Sequence, residues 1–441
     1  MIGINRRRRI CPTKVWKQLK ALLKDARPEN PPVTLLKSLD PFKGLPADVD
    51  DIPDVVNMTD TEVEKMAQAH WKYVSKLQTN EIKLQYTPGT RGIVTTASEK
   101  DLGSIVVSLA MLRRTGCDLP MEIMVSTDDI VTSAMCTDVL AAFNAKCISS
   151  AAAIGTKNPE LDNNRYLNKL FALLLSSFED NLFLDADNLP ILDPATYFDE
   201  EPFKSHGLVA WPDFWPSSIS PTHADVTNTV LPPVNGTVES GQLLLSKSRH
   251  ANTLLLAFYY NFYGPQYYYK LESQGAVGFG DKESFLNAAL ALNGSYYLVK
   301  HKIHALGYWD EGKFHGPAMA QFDLTGDYHN TLNKVVEGQD GYVDPKIVFV
   351  HHNMLKLVPD NVFGSQGHYE YTKLKSGQYT RLWGPQEGTE KKFGGVDMER
   401  VMWLTLREVT CSLKKKGLLG KKNKSDACQK CDEYIKAVFA E

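Results

Sequence analysis

The chain has 441 residues, 43% of them hydrophobic and 23% charged, and a formal net charge of -3. That composition is ordinary for a globular protein, which excludes a chain dominated by disorder, and the near-neutral balance offers no basic field for nucleic acid. The length leaves room for one large core or two medium ones.

In chain order, the first feature is a basic run at residues 6–9, followed by mixed polar sequence and not by a secretory h-region. No stretch reaches the ~18 to 20 consecutive apolar residues of a bilayer span. Residues 1–85 read as a stem or linker, rich in Pro and Asp, ending in a lead-in helix from about residue 60 to 77. Residues 86–441 read as one catalytic domain with a cysteine-containing C-terminal extension. Its strand-like and helix-like segments alternate, "GIVTTA", "DLGSIVVSLAMLRRTG" and "MEIMVST", which is an α/β pattern. Later strands are expected in "HGLVAWPDFW", "SGQLLLSKS" and "KIVFVHHN". The seven cysteines include the pair Cys136 and Cys147 and the cluster Cys411, Cys428 and Cys431. One or two disulfides are expected, with Cys411 bonded to Cys428 or Cys431. Sequons at Asn57, Asn235, Asn293 and Asn423 fit a secretory lumen.

The most informative stretch is "NLFLDADNLPILDP", residues 181–194. Before it, Leu167, Leu170, Phe171, Leu174, Leu175 and Phe178 define one helix face, with Asp162 or Asn163 as its cap. Asp180 and Asn181 are expected to turn the chain into a short buried strand, "LFL". Asp185 and Asp187 then emerge at that strand's carboxyl end, where open α/β sheets bind ligands. In extended backbone, residues two apart point to one side, so both carboxylates can face one point. Like charges so close repel unless they share a cation, and a cation held by one or two carboxylates completes its shell with water and phosphate oxygens. A nucleotide ligand is implied. Another Asp-x-Asp, Asp48 and Asp50, sits in the Pro-rich stem without a preceding apolar strand and carries no such expectation.

"YLNKLFALLLSSFEDNLFLDADNLPILDP", "HGLVAWPDFW", "ESGQLLLSK", "GFGDKESF" and "IVFVHHNMLKL", in that order, resemble the fungal Golgi α-mannosyltransferases that extend and branch cell-wall mannan, most closely the α-1,2-branching members. The resemblance implies a GT-A fold, a mixed central sheet flanked by helices. It implies Mn2+ at the Asp-x-Asp, GDP-mannose as donor, a mannan or N-glycan acceptor, and retention of the α configuration. It also implies the Golgi lumen and a type II membrane anchor, which this sequence does not display.

Beside the resemblance, each motif has its own reading. The "KIVFVHHN" strand delivers His351 and His352 to its end. Adjacent strand residues face opposite ways, so only one ligates, with His351 preferred and His352 the alternative. Lys356 follows, suited to neutralising a diphosphate and assisting departure of GDP. Asp281 and Glu283, after two glycines, are candidate catalytic groups at the anomeric carbon. Thr95 and Thr96, at the end of the first domain strand, and Lys169 are grouped with Asp185 and Lys356 as cofactor-binding residues. Trp211 and Asp213 are candidate acceptor contacts, with buried structural tryptophans the competing reading for Trp211 and Trp215. Glu239, Ser240 and Gln242 are further acceptor candidates. The first strand lacks the G-x-G-x-x-G and G-K-[ST] signatures, so neither NAD nor ATP chemistry is favoured. The rival readings are a metal-dependent phosphohydrolase using Asp185 and Asp187, whose usual Thr or Val is here Leu189, and a glycan-binding pseudoenzyme.

Overall fold

Alternation of apolar β-branched runs with amphipathic helices produces the expected layers. The computed structural model describes residues 12–39, 52–79, 82–155, 164–230, 237–359, 361–366, 369–419 and 426–439. The basic run at 6–9, Asp48 and Asp50, the caps Asp162 and Asn163, and the sequons at Asn235 and Asn423 lie outside these residues.

The elements that matter for the site are α1 (Pro12–Asp25), α2 (Asp60–Thr79), β1 (Thr87–Thr96), α3 (Leu102–Arg114), β2 (Met121–Val125), β3 (Ala145–Ser149), α4 (Leu167–Leu175), β4 (Phe178–Leu184) and β5 (Asn188–Pro190). After them come β6 (Leu208–Pro212), β7 (Val238–Ser246), α5 (Ala251–Phe262), β8 (Tyr297–Leu298), β9 (His304–Asp310), β10 (Lys313–Phe322), β11 (Ile347–His351), α6 (Met398–Lys415) and α7 (Ala427–Phe439). Among the described residues a seven-stranded sheet runs in the order β8-β6-β7-β4-β1-β2-β3. Only β7 runs antiparallel to its neighbours. A four-stranded antiparallel sheet, β9-β10-β11-β5, stands beside it. This is an α/β fold with a mixed central sheet flanked by helices. The parallel strands read as near-continuous apolar runs because both faces are covered: Leu182, Phe183 and Leu184 are fully buried.

Two expectations are corrected by the packing. The described parts of residues 1–85 are not set apart as a stem, because their helices belong to the core. Trp16 of α1 packs edge-on against Phe171 of α4 at 5.3 Å, and the Tyr73 hydroxyl of α2 donates to the Leu255 carbonyl of α5 at 2.9 Å. Nor do Asp180 and Asn181 turn the chain. Helix α4 stops at Leu175, and Phe178, Asp180 and Asn181 all lie in β4. There the flanking strands supply their backbone partners: Asp180 pairs Arg91 of β1 and Ser246 of β7.

Two disulfides close loops, Cys136 to Cys147 and Cys411 to Cys428. Among the described residues Cys117 and Cys431 are buried thiols, so the open choice for Cys411 falls to Cys428. No helix among the described residues is long and apolar enough to cross a membrane.

Candidate active site

The Asp-x-Asp segment is the point where the chain leaves one sheet for the other. Beyond Leu184 the Asp185 N–H donates to the Gly241 carbonyl at 2.8 Å, and the Asn188 N–H returns to the Asp185 carbonyl at 3.0 Å, closing a turn. The Asn188 side chain fixes that turn by donating to Gly241 O at 2.9 Å and Gln242 Oε1 at 2.7 Å. Strand β5 then starts at Asn188, directly opposite His351 of β11. The crossing brings His351 to the two aspartates, from which it is more than 160 residues away in sequence. His351 Nε2 is 3.1 Å from Asp187 Oδ1 and 4.0 Å from Asp185 Oδ2. One donor atom from each of the three lies within 4.8 Å of the others.

His351 is held from behind. Its Nδ1 faces Glu239 Oε1 at 3.4 Å, while Glu239 Oε2 accepts the Gly241 N–H at 2.8 Å. A carboxylate on one imidazole nitrogen is the arrangement that fixes the tautomer and frees the other nitrogen for a metal. Burial works against charge on this ring, but the Glu239 and Asp185 carboxylates together outweigh it and raise the His351 pKa. The close approach requires glycine at 241, because a Cβ there would lie 2.5 Å from His351 Nδ1 and 2.7 Å from Glu239 Oε2. His352 points the other way, its Nε2 accepting the Trp383 indole N–H at 3.2 Å. Burial drops its pKa to about 3, so it is neutral.

A cleft of about 590 Å³ opens at the carboxyl ends of β1 through β4, lined among others by Thr96, Val125, Ser150, Asp185 and Lys356. Lys100, Arg165, Lys169 and Lys356 supply its positive charge. Lys169 on α4 donates to Ser240 O at 2.6 Å and lies 3.0 Å from Asp281 Oδ2 and 3.6 Å from Asp185 Oδ1. Burial disfavours its charge, but Asp185 and Asp281 outweigh that and raise its pKa above the ordinary lysine value. Lys356 forms an ion pair with Asp187, and burial lowers its pKa.

The remaining candidate residues divide. Thr96, Ser240 and Asp281 line the cleft. Thr95 is buried, its hydroxyl unpartnered, because alternation along β1 turns it from the cleft. Glu239 backs His351 and is not placed as an acceptor contact. Gln242 is fully buried and bonded to Asn188, where no acceptor reaches it. Trp211 is a core residue: its indole N–H donates to Phe322 O at 2.9 Å and its ring packs on Phe349. Asp213 is paired with Lys282 at 2.8 Å. Glu283 is buried and accepts the Val238 N–H at 3.2 Å, and burial pushes its pKa to about 7. It packs against the first residue of β7 and is not among the residues that line the cleft. Arg165, Tyr166, Lys100 and Ser126 also line the cleft and went unread. The only sequence signal for the first two was their place just ahead of the α4 apolar face.

A family model described as "Mannosyltransferase putative" matches residues 90–235 and 232–323. The chain is 31% identical to alpha-1,2-mannosyltransferase MNN21 of Candida albicans over 86% of this chain and 66% of that protein. It is 36% identical to alpha-1,2-mannosyltransferase MNN22 of the same organism, over 59% of this chain and 51% of the relative. To alpha-1,2-mannosyltransferase MNN2 of Saccharomyces cerevisiae it is 33% identical over 63% and 53% respectively. The chain thus spans from about half to just under two thirds of the length of these curated relatives. Among solved structures, the galactosyltransferase LgtC in complex with donor and acceptor sugar analogs is similar at a TM-score of 0.31 and 13% identity, covering 47% of this chain and 72% of that one. A likeness of that extent leaves the fold to be read from the strand order itself. The matched segments span residues 90–323, more than half of the sequence, and the chain belongs to the mannosyltransferase family that this model describes.

Proposed function

We propose that this chain is a retaining α-mannosyltransferase of GT-A type. It moves mannose from GDP-mannose to a mannose-terminated glycan through an α-1,2 linkage, in cell-wall mannan or N-glycan outer-chain synthesis. The observation that carries this reading is the convergence of Asp185, Asp187 and His351 beside a lysine-lined cleft at the ends of parallel strands, in a member of a mannosyltransferase family. Two carboxylates and an imidazole form a donor set suited to Mn2+, and the ion pair of Lys356 with Asp187 supports a cation at that position. A bound Mn2+ would neutralise charge on the two phosphates of departing GDP.

The chain's own residues do the rest. Glu239 holds the His351 ring so that Nε2 faces the cation position. Lys356 is free to exchange Asp187 for a phosphate oxygen. Lys169, pinned by Asp281 and the Ser240 carbonyl, fixes the floor of the cleft beside Asp185. Thr96, which lines the cleft at the end of β1, is suited to contact the nucleotide. The two disulfides suit an oxidising compartment, in keeping with a Golgi lumen.

Incubation with a panel of nucleotide sugars and Mn2+ tests the proposal. Mannose transfer and GDP release from GDP-mannose alone support it. Phosphate release from a phosphomonoester, or equal use of UDP-sugars, overturns it.

A further inference from the structure

Of the two triad aspartates, Asp187 is the enclosed one: its side chain is 9% exposed, against 31% for Asp185. A carboxylate so enclosed is costly without a positive partner, and both of its oxygens are engaged. Oδ1 faces His351 Nε2 at 3.1 Å, and Oδ2 takes the Lys356 ammonium. The lysine thus sits on an oxygen that a cation at this site would need.

The two lysines that pair with the triad differ in freedom. Lys169 is buried and pinned by the Ser240 carbonyl at 2.6 Å, the Ser240 hydroxyl at 2.9 Å and Asp281 at 3.0 Å. The Lys356 side chain is 47% exposed, and among the described residues Asp187 is its one ion-pair partner. Its ammonium can therefore leave Asp187 for water or for a phosphate oxygen.

The backbone of Lys356 does not move with it. Leu355 and Leu357, on either side, are buried, and the Leu355 N–H donates to the Pro317 carbonyl of β10 at 3.2 Å. The Gln366 side chain then closes on residue 356 from both directions: Oε1 accepts the Lys356 N–H at 2.6 Å, and Nε2 donates to the Lys356 carbonyl at 2.8 Å. Gln366 is itself held by a backbone bridge to Tyr369. A fixed anchor under a flexible four-carbon stem lets the ammonium swing between Asp187 and the cleft that it lines.

We propose that Lys356 is a placeholder cation: it neutralises Asp187 in the free protein, competes there with the divalent metal, and is drawn off by a nucleoside diphosphate, so that metal and nucleotide bind together. The proposal rests on the metal site of the transferase reading above. Two positive charges on one carboxylate repel, so the metal binds weakly while the ammonium is in place. A diphosphate that takes the ammonium removes that repulsion, and by reciprocity the metal strengthens diphosphate binding by the same factor. Gln366 is a positioning residue, because it fixes the point from which Lys356 reaches both carboxylate and phosphate.

Mn2+ binding to the protein without nucleotide is measured by electron paramagnetic resonance of the unbound ion, and GDP binding in EDTA by calorimetry. Lys356→Met should bind Mn2+ about tenfold more tightly than wild type, within the usual range of coupling between sites. The same variant should bind metal-free GDP about tenfold or more weakly, having lost a hydrogen bond to a charged group. These opposite signs separate the proposal from a structural defect, which would weaken both. Lys356→Arg keeps the charge and should bind Mn2+ as wild type does; a gain there equal to that of Lys356→Met would trace the effect to shape and overturn the proposal. Gln366→Met should shift both affinities in the directions of Lys356→Met by a smaller factor, about threefold, and unchanged affinities would remove Gln366 from its role. Unchanged or weaker Mn2+ binding in Lys356→Met, or unchanged GDP binding, overturns the placeholder. The metal site then stands if Asp187→Ala loses Mn2+, and the metal site of the transferase reading falls if it does not.

Discussion

Gly241→Ala isolates the role of a residue that offers no side chain to chemistry. The added Cβ would sit 2.5 Å from His351 Nδ1 and Cε1 and 2.7 Å from Glu239 Oε2. Ordinary contact begins near 3.5 Å, so the imidazole must recede by about 1 Å. It cannot do so freely, since Asp187 lies 3.1 Å from its other nitrogen and β11 is buried throughout. A misplacement of about 1 Å in a positioned group costs roughly 10²-fold in rate, and disturbing the group behind a metal-binding histidine costs about 10 to 100-fold in metal affinity. The variant should therefore lose roughly two orders of magnitude in turnover at fixed Mn2+, with part of the loss recovered at saturating metal. Steady-state kinetics over a Mn2+ series, with far-UV circular dichroism to verify the fold, measure both. Wild-type turnover and unchanged Mn2+ dependence would refute the placement of His351 and Glu239 in the metal site.

Asp187→Ala should abolish Mn2+-dependent transfer while circular dichroism stays that of wild type, and retained turnover would remove the residue from the metal site. Lys356→Ala should weaken GDP binding by about 1.5 to 3 kcal/mol, the range for a hydrogen bond to a charged group; a much smaller change in calorimetry would place the lysine outside the diphosphate site. Burial pushes the Lys247 ammonium down to about 7, against about 10.4 in the unfolded chain. Between those values the unfolded state holds a proton the native state lacks, so this group makes stability rise with pH across that window. Lys247→Met should flatten the rise in urea midpoints, and an unaltered slope would contradict the assignment. Cys411→Ser opens a disulfide with a sequence separation of 17 and should cost about 3 kcal/mol, read by chemical denaturation; no loss would mean that the bridge contributes nothing in solution.

The local signals in the sequence were those of period and composition. An apolar run ending in two aspartates specified a strand end, which β4 supplies; the shared side was expected from extended backbone, but Asp185 and Asp187 lie in the turn that the Asn188 N–H closes on the Asp185 carbonyl. Because adjacent strand residues face opposite ways, only one of His351 and His352 was expected to ligate, and the two do face Asp187 and Trp383 respectively. Long-range packing was not legible. Trp211 looks the same in sequence whether it stacks on a sugar or fills the core, and its burial follows from Phe349 and the Phe322 carbonyl, more than 100 residues away. Asp180 and Asn181 carry turn chemistry, yet pairing with β1 and β7 overrides it. The Pro-rich N-terminal segment shows no sustained periodicity, and only the tertiary structure shows that α1 and α2 complete the core. Glu239 was read as an acceptor contact because nothing in "ESGQ" announces that the strand passes behind His351.

Calorimetry of GDP, with Mn2+ and then with EDTA, tests the central claim most directly, because the claim is that Asp185, Asp187 and His351 hold a cation between the protein and a guanosine diphosphate. The account predicts much tighter GDP binding with Mn2+ than in EDTA, and weaker binding of UDP under the same conditions. Equal GDP affinity with and without metal would contradict the metal site, and UDP binding as tight as GDP would contradict the mannosyl donor.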